Sequence, residues 1–217
     1  EKNRDKLKKI PGSSDWHVNK WLQQVECIKK GKIGFYKTKN AERILNEHLI
    51  IFDIEKDAWN PDIFLIGAYN TSNDEFVQFF YLDDEKKLLS EFLDYINQHP
   101  DHLLVSYGGN RFDELSVMSG LERHKLSGLS HEKIDICIDM PNIIVGKLAS
   151  SDYNLKSLAK FLGFKFKTNL NGLQVGLDFM SYKNGNKNVD WEKIKLYNKD
   201  DVLATKHVID KIKENLS

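Results

Sequence analysis

The sequence is poor in cysteine: across 217 residues it has only Cys27 and Cys137, far apart and with no further thiols to join them. That excludes a disulfide framework and a thiolate zinc site. The seven histidines show no zinc-ligand spacing. No run of about 18 apolar residues occurs, which excludes a transmembrane helix and predicts no membrane partner. A charged N-terminus without the apolar core of a signal peptide makes a cytoplasmic location the expectation. The chain opens on Glu1 rather than Met, so a fragment or processed chain is expected. Internal repeats and low-complexity segments are also missing.

Net charge is absent overall, with 32 basic and 32 acidic side chains, but the signs are unevenly spread. Residues 1–43 hold twelve basic against five acidic side chains, a net +7, which leaves −7 on the rest. A basic arm beside an acidic domain fits a nucleic-acid binder with a carboxylate-rich metal site. A solvated lysine-rich surface fits equally well. Within the arm, "IPG" (10–12) precedes Val18, Trp21, Leu22 and Val25 at helical spacing. This faintly resembles a helix-hairpin-helix, degenerate because Ser13 and Ser14 stand where a second glycine is usual. The alternative is a plain turn before an amphipathic helix. "GKIGFYKTKNAERIL" (31–45) reads as a strand or an extended linker. The expected organisation is a basic N-terminal segment over 1–45 and one domain over 46–217.

What is present beyond residue 45 alternates in period. "HLIIFDI" (48–54), "DIFLIGAYN" (62–70) and "EFVQFFYL" (75–82) read as an antiparallel meander. "EKKLLSEFLDYINQH" (85–99) is a helix capped by Asp83 or Asp84 and ended by Pro100. A strand at 102–107, a helix over 110–124 and a strand at 133–140 running into a helix near Pro141 follow. "NLKSLAKFLGF" (154–164) is a helix capped by Asn154, "SYKNGNKN" (181–188) a polar loop, and 190–216 a long helix capped by Asp190, either continuous or broken near Lys199. A meander followed by βαβ alternation predicts an α/β fold: a mixed sheet with helices on both faces.

Three stretches carry chemistry. Strand residues at i and i+2 share a face, so Asp53 and Glu55 of "FDIE" project together with Ile51. Adjacent carboxylates repel and resist burial unless a cation neutralises them, and oxygen-only ligands suit Mg²⁺ or Mn²⁺. Solvated acids at a strand end are the alternative. On the last helix Ile194, Tyr197, Asp201, Ala204, Val208 and Ile212 form one stripe, with Asp201 at its centre where an apolar residue belongs. In "SYGGNRFDEL" (106–115), Gly108 and Gly109 turn the chain and permit close approach of a phosphate or sugar, with Asn110 following. Asp113 opens the next helix there, where it would also favour the helix N-terminus without any metal.

Taken in order, "FDIE", "NRFDEL" and "YNKDD" (read as Tyr-x-x-x-Asp) resemble the three motifs of the DEDD-type 3′–5′ exonucleases, tyrosine-bearing branch, of the ribonuclease H-like superfamily. "NLKSLAKFLGF" and "YNKDDVLAT" are also similar to a bacterial and archaeal subgroup of predicted exonucleases. The resemblance spans about residues 46–217. It implies a five-stranded sheet of order 3-2-1-4-5 with strand 2 antiparallel. It also implies two divalent metals about 3.5–4 Å apart, Mg²⁺ or Mn²⁺. Asp53 would bridge both, Glu55 and Asp201 would share one, Asp113 would support the other through water, and Tyr197 would orient the attacking water. The implied reaction is phosphodiester hydrolysis from single-stranded ends, DNA favoured over RNA, in a DNA-repair type of role. One departure stands out: the family commonly has a small hydroxyl residue after the motif-one glutamate, and here Lys56 follows. Lys56, Lys156 and Lys160 are candidate contacts to the nucleic-acid backbone, as are Gly108, Gly109 and Asn110. The competing readings are a catalytically silent nucleic-acid-binding or scaffold domain of the same fold, and a structure-selective endonuclease.

Overall fold

The computed structural model describes residues 2–31, 33–108, 113–146 and 153–216. Its frame is a five-stranded sheet made of β2 (Leu49–Lys56), β3 (Ile63–Asn70), β4 (Glu75–Phe80), β5 (Leu103–Ser106) and β6 (Lys133–Asp135). The spatial order is β4-β3-β2-β5-β6, which is 3-2-1-4-5 counted within this sheet. β3 runs antiparallel to both its neighbours, whereas β2, β5 and β6 are mutually parallel. The expected mixed sheet is therefore present.

β2 is apolar on both sides because helices cover both sides. Ile50, Phe52 and Ile54 pack with Leu88, Leu89 and Phe92 of α4 (Glu85–Asn97). Leu49 and Ile51 face the other way, into a core shared with Val202, Ala204 and Val208 of α9 (Trp191–Leu216). The period of two then carries Asp53 and Glu55 onto the α9 face. Burial of these two core faces is the main stabilising term, at roughly 25 cal/mol per Å² of apolar surface.

Several local expectations change. α9 runs unbroken through Lys199, since no glycine or proline interrupts it. Residues 31–45 are not one extended run. Ile33–Phe35 (β1) pairs antiparallel with Ile144–Gly146 (β7) in a small separate sheet. Then α3 (Lys39–Asn46) begins at Thr38, whose hydroxyl accepts from the Ala41 N–H, and it buries Ala41 and Ile44 in the main core. The polar stretch 181–188 begins as helix: α8 (Gly172–Lys183) extends into it from an Asn171 cap. At the N-terminus α1 (Lys2–Lys8) and α2 (Asp15–Lys29) flank a short turn, and Ser14 and His17 cap α2 reciprocally. α5 (Asp113–Arg123), α6 (Ile136–Ile143) and α7 (Leu155–Phe161) complete the described elements.

Candidate active site

Three elements converge at the carboxyl end of β2. β2 brings Asp53 and Glu55, paired in register with Gly67 and Leu65 of β3. α5 brings Asp113 in its first turn. α9 brings Tyr197 and Asp201, one turn apart on the buried stripe that continues through Ala204, Val208 and Ile212. All five line one cleft of about 570 Å³. Lys56, Asp57 and Ala58 from the end of β2 form another part of its wall, with Tyr107, Gly108, Gly172 and Leu173.

The electrostatics are those of acids confined together. Burial, then the charges of Asp113, Glu55 and Asp201, hold Asp53 well above the usual carboxylate range. Burial, then Asp201 and Asp113, do the same to Glu55. Asp113 is pushed up to about 7, first by burial and then by Asp135 and Asp201. Asp201 rises to about 6 through burial, opposed by the Lys156 ammonium and the Tyr197 phenol. The Tyr197 phenol itself is raised by burial and by the Asp201 and Glu55 charges, so it keeps its proton at neutral pH.

Two oxygens in this cluster, Glu55 Oε1 and Asp201 Oδ1, are buried without a hydrogen-bond partner. A buried acceptor left in that state is costly unless something positive meets it. Among the described residues no three acidic, histidine or cysteine side chains are already gathered closely enough to hold an ion. The donor chemistry nonetheless fits a hard divalent cation: oxygen atoms only, repelling one another, partly unsatisfied.

A family model of the RNase H superfamily matches residues 50–213. The chain belongs to the RNase H superfamily. Among solved structures, this superfamily member is similar to the family B DNA polymerase of the hyperthermophilic archaeon Pyrobaculum calidifontis, with a TM-score of 0.61 at 14% sequence identity. That alignment covers 76% of this chain but 24% of the polymerase, so the likeness concerns the fold of about a quarter of that protein. No curated protein matches the sequence.

The remaining candidates of this RNase H superfamily chain are scattered in role. Lys56 lines the cleft, and its charge opposes the upward shift of Asp113. Gly108 also lines it, with its N–H donating to Asp135 Oδ1 at 2.8 Å, while Gly109 and Asn110 lie outside the described residues. Lys156 stands with its Nζ 4.3 Å from the Tyr197 ring centroid and donates to the Leu170 carbonyl at 2.7 Å. It is thus packed on the site tyrosine, where its charge also draws Glu55 down. Lys160 stands over the Phe166 ring instead, 5.7 Å from its centroid.

Sequence reasoning missed three contributors. Asp135 was read only as part of a strand, yet its buried carboxylate braces the Gly108 turn and caps α6 through the Cys137 N–H. α8, which supplies Gly172 and Leu173 to the cleft wall, had no counterpart. Asn198, fully buried, lies directly against Asp53, and its only sequence signal is its position beside Tyr197.

Proposed function

We propose that this chain is a metal-dependent nuclease that removes nucleotides from single-stranded nucleic-acid ends in the 3′–5′ direction, with DNA favoured over RNA. The observation that carries the reading is the convergence of Asp53, Glu55, Asp113, Asp201 and Tyr197, from three separate elements, on a single cleft. A structural role does not call for four carboxylates held together, since each destabilises the ionised form of the next. A divalent cation pair bound here would neutralise the acids and stabilise charge on the attacking and leaving oxygens of an in-line displacement.

The chain's own residues set the rest. Asp53, Glu55 and Asp201 form the ligand set on the α9 side, and Asp113 faces them from α5. Tyr197 keeps its proton, so it acts as a donor that orients the attacking water rather than as a base. Lys156 stacks on the Tyr197 ring and fixes its plane. Lys56, in the position commonly held by a small hydroxyl residue, offers a cation to a phosphate in the cleft.

The test is degradation of 3′- and 5′-labelled single-stranded DNA with Mn²⁺, comparing wild type with Asp53→Ala and Asp201→Ala. The expected outcome is a ladder shortening from the 3′ end in wild type and a loss of at least 100-fold (~3 kcal/mol) in each variant. Equal cleavage by all three proteins would remove these residues from the chemistry. Cutting of a circular substrate would turn the assignment to an endonuclease.

A further inference from the structure

Gln78 of β4, Gly67 of β3 and Asp53 of β2 are successive cross-strand neighbours. Asn198 of α9 lies over the middle one. Its Nδ2 donates to Asp53 Oδ2 at 3.0 Å and to the Asp53 carbonyl at 3.2 Å. Its Oδ1 accepts from Gln78 Nε2 at 3.0 Å. The same Gln78 nitrogen donates to the Lys195 carbonyl of α9 at 2.9 Å. Two amides therefore reach across one strand, from the sheet edge to the acid at the centre of the cleft.

Gly67 makes this passage possible. A Cβ there would lie 2.2 Å from Asn198 Oδ1, inside any real contact distance, and 3.1 Å from its Cγ, which is itself tight. Any other residue at this position of β3 would displace the Asn198 amide.

The relay has a direction. Gln78 meets a backbone carbonyl, so its NH₂ must face α9. Asn198 must then turn its oxygen toward Gln78 and its NH₂ toward Asp53. A flipped amide would set NH₂ against NH₂ at one end and oxygen against carboxylate at the other. Asp53 thus has Oδ2 held by a neutral donor while Oδ1 is left to the cleft. Neutrality matters here, because a lysine or arginine in this place would compete with a divalent cation for the same carboxylate.

We infer that Asn198, steered by Gln78 across the Gly67 gap, is a positioning residue that presets the Asp53 carboxylate for a divalent cation. The inference rests on the nuclease reading above and assigns that site its outer support.

The experiment is a Mn²⁺ titration of the folded protein followed by electron paramagnetic resonance of the free ion, with thermal unfolding recorded in parallel. Wild type, Asp53→Asn, Asn198→Ala, Gln78→Leu and Gln78→Glu are compared. Gln78 is half-buried on an edge strand, so its variants are expected to fold even where Asn198→Ala does not. Gln78→Glu keeps the shape and reverses the polarity, since a carboxylate can only accept. Mn²⁺ affinity is expected to fall about tenfold or more in Gln78→Leu and Gln78→Glu. Wild-type affinity in both, with binding lost in Asp53→Asn, would overturn the relay and leave the metal site standing; a lowered melting temperature alone would mean a packing role and would likewise overturn it. Absence of Mn²⁺ binding in wild type itself would overturn both the relay and the nuclease reading.

Discussion

Asp113 shows what the cleft does to a single side chain. Its carboxyl titrates near pH 7 in the fold, against about 4 in an unfolded chain. The folded state therefore holds the proton more tightly. Without metal, this group's contribution to stability is fullest below about pH 4 and is lost as pH rises toward 7. Asp113→Asn is accordingly expected to melt several degrees above wild type at pH 8 in chelator, with the difference narrowing markedly at pH 5. Calorimetry at the two pH values checks this, and an equal difference at both would contradict it. Three of the four acids are legible in the sequence because each breaks a local rule: two charges end a greasy strand, and one interrupts an apolar helical stripe; Asp113 breaks none, since an acid in a first helical turn is ordinary. Asn198 breaks no rule. Its partners Asp53 and Gln78 lie 145 and 120 residues away along the chain, so only the fold gives it a role.

Among the elements that line the cleft, α8 is the one hidden from pattern reading. Its sequence GLQVGLDFMSYK begins with glycine and holds a second at Gly176, both poor helix formers, and it mixes polar with apolar positions. The structure explains the second glycine. A Cβ at Gly176 would lie 2.9 Å from the Ala58 nitrogen and 3.0 Å from the Lys56 carbonyl, both backbone atoms that cannot step aside. α8 lies this close so that Leu173 and Gly172 can close the cleft beside the end of β2. In an open helix Gly→Ala would stabilise by about 1 kcal/mol. Here overpacking, at about 1–3 kcal/mol, is expected to win, so Gly176→Ala should lower the melting temperature by a few degrees and reduce cleavage together. A rise in melting temperature would show that the helix has room. α9 is legible as a helix because it is long and strongly periodic, and its continuity past Lys199 follows from the lack of glycine and proline together with packing on the core.

Across the molecule the sheet has two unlike ends. Acids gather where β2 finishes, and imidazoles gather where it starts. His48 and His102 stack with ring centroids 5.3 Å apart, His99 approaches His102 at 4.9 Å, and His131 meets the His99 carbonyl at 3.1 Å. His99 and His102 flank Pro100 and Asp101, and His102 is half-buried with its Nδ1 lacking a partner. Burial, then His99 and His48, lowers the His102 pKa below 6.5, with Asp101 opposing and His131 adding to the effect. The neutral ring, held by Ser72 and Asn70 through Nε2, stabilises the fold above pH 6.5, and that contribution is lost as pH falls below it. His102→Gln is expected to lose less stability than wild type between pH 7 and pH 5, measured by urea unfolding, whereas parallel losses would place the sensitivity elsewhere. The two ends are joined by α9, a single rod of 26 residues. Tyr197 and Asp201 belong to the same hydrogen-bond ladder as Val208 and Ile212, which are locked into the main core. A local opening that frees the first pair has to strip Ile194 and Tyr197 from Phe64 and Phe179 and draw Val202 and Ala204 out of the main core. The consequence is one of time. On heating, this half of the site is expected to have no earlier expiry of its own, so its half-life becomes the half-life of the fold.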